Sequence, residues 1–154
     1  MNALCTGSFD PITVGHFDLI KRTAALFEGV VVAVTNNSEK KYMFSLEERL
    51  GFARSALAPL SNVKVVACDG WVADLAEKEG CDVIVRSARN GGDFDYESPI
   101  ARLNLEKSGV ETLILPADPA LSWISSTLVR ETIKYGKDYS ALLPEGVSLE
   151  KKEK

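Results

Sequence analysis

A chain of 154 residues, 45% hydrophobic and 26% charged, can close one substantial core, and residues 1–154 read as a single domain. No apolar run nears the roughly 18 residues of a membrane helix, and no basic-then-apolar leader is visible, which excludes a membrane protein and points to the cytoplasm. With a net charge of −4 and no block of like charge, the chain is not read as nucleic-acid binding, so an anionic ligand would need a few basic residues converging on one cleft.

Asn2 to Thr6 is short and apolar, the pattern of a buried strand. After a turn rich in small residues, Phe17, Ile20, Ala24 and Phe27 recur at helical spacing, with Gly29 expected to end that helix. Val30 to Val34 is continuous and mostly β-branched, as in a strand covered on both faces. A polar loop, Asn36 to Lys41, leads to a capping box, Ser45-Leu46-Glu47-Glu48, which opens a helix to about Leu57. Strand Val63 to Ala67, helix Val72 to Glu79 and strand Val83 to Val85 follow, the last finishing at Arg86.

Ser87 to Gly92 reads as a loop, with Asn90-Gly91-Gly92 expected to make it flexible. Phe94 to Lys107 reads as a helix whose first half Pro99 should disturb. Glu111 to Leu115 forms a fifth strand, Ser125 or Ser126 caps a helix to about Tyr135, and a short helix is expected near Leu142 or Pro144. The sign-mixed tail Glu150 to Lys154 reads as a solvated end. Cys5, Cys68 and Cys81 show no CxxC spacing and read as free thiols, a poor ligand set beside one histidine, so no protein-held metal is expected.

Strands alternating with helices imply an α/β fold, a Rossmann-like doubly wound sheet of about five parallel strands with helices on both faces. Ligands in such sheets bind beyond the carboxyl ends of the strands. Gly7-Ser8-Phe9-Asp10-Pro11-Ile12-Thr13-Val14-Gly15-His16 lies there and contains the only histidine. Gly7 admits close backbone approach, Asp10-Pro11 fixes a turn, and the following helix start favours an anion.

Thr13-Val14-Gly15-His16 resembles the (H/T)xGH signature of the nucleotidylyltransferase superfamily, and Ile124-Ser125-Ser126-Thr127-Leu128-Val129-Arg130 resembles its ISSTxxR motif. Within the superfamily the chain resembles the bacterial phosphopantetheine adenylyltransferase family over nearly its whole length. Lys40 to Arg49 is similar to KKxMFxxEER, Arg86-Ser87-Ala88-Arg89 to RGLR, and Asp93-Phe94-Asp95-Tyr96-Glu97 to DFEYE.

That resemblance implies AMP transfer from ATP to 4′-phosphopantetheine, giving dephospho-coenzyme A and pyrophosphate, with Mg²⁺ arriving on ATP. It implies His16, Lys40 and Arg89 as catalytic residues. On the nucleotide side it implies Ser8, Phe9, His16, Ser87, Ala88, Arg89 and Glu97, together with Leu121, Ser122, Trp123, Ile124, Ser125, Ser126 and Thr127. On the acceptor side it implies Ser8, Lys40, Arg86, Val72 and Asn104. A homo-hexamer and coenzyme A as feedback ligand are further family expectations. The chain departs from the family pattern at Ser87 and Ala88, where glycine and leucine are usual, at Cys5-Thr6, and at Pro99. Two other readings share the end motifs: a nicotinamide-mononucleotide or glycerol-phosphate nucleotidylyltransferase, and a degenerate nucleotide-binding sensor. The Lys40 and Arg86 blocks argue against the first, and the intact set His16, Lys40, Arg86 and Arg89 against the second.

Overall fold

The computed structural model describes residues 1–150, so Lys151 to Lys154 of the tail lie outside the described residues. Five parallel strands, β1 (Asn2–Gly7), β2 (Gly29–Thr35), β3 (Val63–Cys68), β4 (Val83–Ala88) and β5 (Glu111–Pro116), are ordered β3-β2-β1-β4-β5. Between them run α1 (Val14–Leu26), α2 (Leu46–Leu57), α3 (Val72–Lys78) and α4 (Gly91–Ser108); α5 (Ser126–Lys134) and a 3-10 turn, Ser140–Leu142, follow. The Rossmann-like sheet expected from the alternating pattern is the observed one. Its strand order reverses direction between β1 and β4, which places the switch point at Thr6-Gly7 and Arg86-Ser87.

Period-two alternation divides each central strand between two cores. Ala3, Cys5, Val30, Val32 and Val34 pack with Ile20 of α1 and Leu50 and Ala53 of α2 on one face. Leu4, Val31, Ala33 and Ile84 pack with Ala76 of α3 and with Cys68, Cys81 and Val110 on the other. All of Val30 to Val34 is buried, at about 1.5–3 kcal/mol per large side chain removed from water. The three cysteines are free and buried. A third cluster, Ile124, Val129, Leu142 and Leu143, seats α5 and the last turn against Val14 and Leu121.

Several local expectations need correction. Gly29 does not cap α1: the helix ends at Leu26 with Phe27 as cap, and Gly29 opens β2. A Cβ there would stand 2.8 Å from Asn2 Oδ1 on the neighbouring strand, so a larger residue would have to turn the Asn2 side chain aside. Asn90 to Gly92 is not a loose loop. Asn90 is the N-cap of α4, accepting from Asp93 N at 3.0 Å, and Gly91-Gly92 are its first turn. Pro99 sits inside an unbroken helix. The carbonyl four residues earlier, on Asp95, loses its partner, but both residues are exposed and water can serve it.

Candidate active site

The carboxyl ends of β1 and β4 open into a cleft of about 460 Å³. Its floor is the turn after β1. Phe9 adopts φ +47°, a left-handed conformation strained for a bulky residue, and its ring is buried edge-on to His16 with centroids 5.0 Å apart. The Asp10–Pro11 peptide is cis. Asp10 braces the turn as its sequence position suggested: the buried carboxylate accepts from Met43 N at 2.9 Å and Phe44 N at 3.0 Å.

His16 is the third residue of α1, and it closes a reciprocal cap with Thr13. Thr13 N donates to His16 Nδ1 at 3.0 Å, and His16 N donates to Thr13 Oγ1 at 3.4 Å. A backbone N–H can only donate, so Nδ1 is the unprotonated nitrogen and the neutral ring carries its proton on Nε2. Burial, and then the charges of Arg86 and Arg89, push the imidazole pKa down to about 4. The ring is therefore a neutral hydrogen-bond donor near pH 7. Gly15, beside it, has open space: an added Cβ would meet Thr13 Oγ1 at 3.6 Å and nothing closer.

Five cations line the cleft, Arg22, Lys40, Arg86, Arg89 and Arg130. Four arginines are held by acids. Arg86 binds Glu97 at two points, Nε to Oε2 at 3.0 Å and Nη2 to Oε1 at 2.7 Å, and its Nη1 donates to Thr6 O at 2.6 Å. Arg89 Nε donates to Asp93 at 3.0 Å, Arg22 pairs with Asp18 at 3.4 Å, and Arg130 lies 3.8 Å from Asp10. Only Lys40 has no acidic partner among the described residues. The cleft is thus a set of oriented donors with one ammonium that pairs with no acid among the described residues, and the starts of α1 and α5 add unpaired amides.

The second motif closes the opposite wall. Ser125 caps α5 by accepting from Leu128 N at 3.1 Å, and Ser126 Oγ donates to Pro11 O at 2.8 Å. Arg130 Nη1 donates to Asp10 O at 2.8 Å, so the two end motifs are bonded to each other across 120 residues of sequence. Leu121, Ile124, Ser125 and Ser126 face the cleft, as do Ser8, Phe9, Ser87 and Arg89. Ala88, Ser122, Trp123 and Thr127 are not on its wall. Ala88 O accepts from Ala117 N, Ser122 Oγ donates to Pro119 O, Trp123 Nε1 donates to Ala120 O, and Thr127 Oγ1 accepts from Arg130. Glu97 lies on the wall but is spent on Arg86.

A second cavity of about 390 Å³ shares Ser8, Arg86 and Glu97 with the first. Val72 and Asn104 line it with Trp71, Ile84, Ile100 and Leu103. Val72 and Asn104 lie far from His16 in sequence but in the cavity next to its cleft.

Arg49 was quoted above only as the end of a matched block, and its importance escaped the sequence. It is fully buried without an acidic partner. Nη1 donates to Ser8 O at 3.0 Å and Thr35 O at 2.8 Å, Nη2 to Asn36 Oδ1 at 2.9 Å, Nε to Phe44 O at 3.2 Å, and the guanidinium lies 3.9 Å over the Tyr42 ring. It joins the turn after β1 to the loop that carries Lys40. The signal was an arginine within the apolar stripe of α2, between Leu46 and Ala53.

Residues 4–132 match the family model described as cytidylyltransferase-like. A phosphopantetheine adenylyltransferase of Flavobacterium psychrophilum is 45% identical over 94% of this chain and 96% of its own length. The chain belongs to the phosphopantetheine adenylyltransferase family. Members from Flavobacterium johnsoniae and Cutibacterium acnes are 43% and 44% identical, covering 97% and 94% of this chain and 98% and 92% of their own. Two solved structures share the family fold at lower identity. A Vibrio parahaemolyticus protein provisionally named nicotinate-nucleotide adenylyltransferase superposes with TM-score 0.66 at 16% identity, over 93% of this chain and 86% of its own. A lipopolysaccharide core biosynthesis protein of Thermoplasma volcanium gives 0.57 at 21%, over 77% and 96%.

Proposed function

We propose that this adenylyltransferase family member transfers AMP from ATP to 4′-phosphopantetheine, giving dephospho-coenzyme A and pyrophosphate. The observation that carries the reading is the pairing of two cavities across one wall: a cleft lined by five cations for polyphosphate, and a cavity with an apolar side of Trp71, Val72, Ile84, Ile100 and Leu103 for an arm, with Ser8 and Arg86 at the junction.

A phosphate oxygen of the acceptor attacks the α-phosphorus of ATP, a new P–O bond forms, and the bond to the β-phosphate oxygen breaks to release pyrophosphate. The nucleophile is already an anion, so no strong base is needed; alignment and charge stabilisation supply the rate. His16 donates from Nε2 to phosphate oxygens as charge develops. Lys40 brings its ammonium to them, and Arg89 with the amides of α5 holds the nucleotide phosphates. Arg86 and Ser8 orient the acceptor phosphate. Val72 and Asn104 take the arm. Phe9, Ser87, Leu121, Ile124, Ser125 and Ser126 form the nucleotide side, Glu97 acts there through Arg86, and Ala88, Ser122, Trp123 and Thr127 brace it from off the wall.

Mg²⁺ does not find a site built by this chain. Each cleft carboxylate already serves a donor of the protein: Asp10 the amides of Met43 and Phe44, Asp18 Arg22, Asp93 Arg89, Glu97 Arg86 and Asp118 the amide of Ala120. The ion belongs with the ATP phosphates and water. A cytoplasmic homo-hexamer and coenzyme A as feedback ligand complete the proposal, open to light scattering and competition binding; no helix among the described residues is long and apolar enough to cross a membrane.

The deciding assay supplies ATP, Mg²⁺ and 4′-phosphopantetheine and follows pyrophosphate and dephospho-coenzyme A. Turnover only with nicotinamide mononucleotide, or only with CTP and glycerol phosphate, would replace the acceptor; binding without turnover would remove the reaction.

A further inference from the structure

Trp71, the residue before α3, is half exposed and lines the second cavity, and its Nε1 donates to Asn104 Oδ1 of α4 at 3.0 Å. An indole N–H only donates, so the asparagine oxygen must face it; the flipped amide would set donor against donor. Asn104 is buried, and its Nδ2 has no partner among the described residues. On the side of the cavity next to Asn104 the wall carries the apolar side chains of Val72, Ile84, Ile100, Ala101 and Leu103, while Thr6, Ser8, Thr35, Arg86 and Glu97 line the rest. An amide N–H on a cavity wall that has no protein partner is open to solvent or to a ligand that enters there.

From this we infer that Trp71 is a positioning residue that sets the specificity of the second cavity. By holding Asn104 Oδ1, it turns the Nδ2 donors toward the cavity, so the site selects an acceptor whose arm presents a carbonyl oxygen, as an amide does. The inference rests on the proposed acceptor and says how that acceptor is read. Without the indole N–H, Asn104 is free to present its oxygen instead, and an arm carbonyl then meets an acceptor rather than a donor.

Trp71→Phe keeps an aromatic ring and removes only the donor. We expect calorimetric affinity for 4′-phosphopantetheine to weaken roughly three- to tenfold, the worth of one oriented hydrogen bond. The acceptor KM should rise by the same factor, with kcat and the KM for ATP within twofold of wild type. Asn104→Asp retains an oxygen for Trp71 but replaces the donor, and should weaken acceptor binding as well. In that background both terminal atoms are oxygens, so adding Trp71→Phe should have no further effect. Unchanged acceptor affinity in Trp71→Phe overturns the inference, as do additive losses in the double variant or a fall in both KM values and kcat together with melting temperature. If the wild type binds the acceptor and Trp71→Phe weakens it but no product forms, the proposed reaction fails and the arm site stands. No binding to the wild type overturns both.

Discussion

Arg86 and Glu97 form a two-point ion pair, 2.7 and 3.0 Å long, at the wall shared by the two cavities. The carboxylate fixes the plane of the guanidinium, and Thr6 O and Oγ1 hold its remaining arm. Arg86→Lys keeps the charge and loses the fork, so kcat/KM for the acceptor should fall about ten- to a hundredfold while the KM for ATP changes less. Steady-state kinetics with each substrate varied would read the split. An Arg86→Lys enzyme with wild-type acceptor kinetics would remove the fork from the mechanism.

The depressed pKa of His16, about 4, has consequences for activity and for stability. Above pH 6 the ring is already neutral, so it should contribute no limb to the pH–rate profile there; an acid limb should appear only near pH 4. An unfolded histidine titrates near 6.5, so on acidification the unfolded state binds its proton first and gains stability relative to the folded one. The stability tied to a neutral His16 is fully present above about pH 6.5 and is lost as pH falls toward 4. Urea melts at pH 7 and pH 5 should show a larger loss for wild type than for His16→Gln. At pH 7, His16→Ala should lower kcat far more than it weakens ATP binding, since the contact strengthens as charge develops.

Arg49 bears on the rigidity of the site. Arg49→Met fills similar volume but strips the donors from Ser8 O, Thr35 O, Phe44 O and Asn36 Oδ1. Unsatisfied buried acceptors and the lost stack on Tyr42 should cost about 3–5 kcal/mol, near 10 °C in melting temperature for a chain this size. Arg49→Lys, with one ammonium for four acceptors, should recover less than half. Scanning calorimetry of the two variants would test this.

Much of the fold could be read in advance because it rests on local pattern. Val30 to Val34 could only be a buried strand, and Ser45 to Glu48 only a helix start. The errors arose where a residue's local habit was overridden by neighbours remote in sequence. Gly29 opens β2 in register with Asn2 instead of closing α1, and Pro99 is tolerated where both it and Asp95 are exposed to water. Motifs brought His16, Lys40, Arg86 and Arg89 to one cleft, but not the bonds that orient them. Those bonds span long separations, such as Arg130 to Asp10, Arg86 to Thr6 and Arg49 to Ser8, and pairings of that kind leave no local pattern.

Gly15 separates stability from function. It is the second residue of α1, and its space is bounded only by ordinary contacts at 3.6 Å and 4.0 Å, to Thr13 Oγ1 and Leu121 O. By the needs of the fold alone, alanine is the better residue, since it restricts the unfolded chain and favours the helix by about 0.5–1 kcal/mol. The chain nevertheless keeps glycine next to His16 on the cleft wall. In the proposed mechanism, phosphate oxygens reach the amides at the start of α1 and the His16 Nε2 donor through the space that the missing Cβ leaves open. Gly15→Ala should therefore melt at the same temperature as wild type or slightly above it, while its KM for ATP rises at least tenfold and kcat falls. A variant that is both more stable and fully active would mean that the phosphates do not pass there, and that the cleft is held open at Gly15 for no ligand.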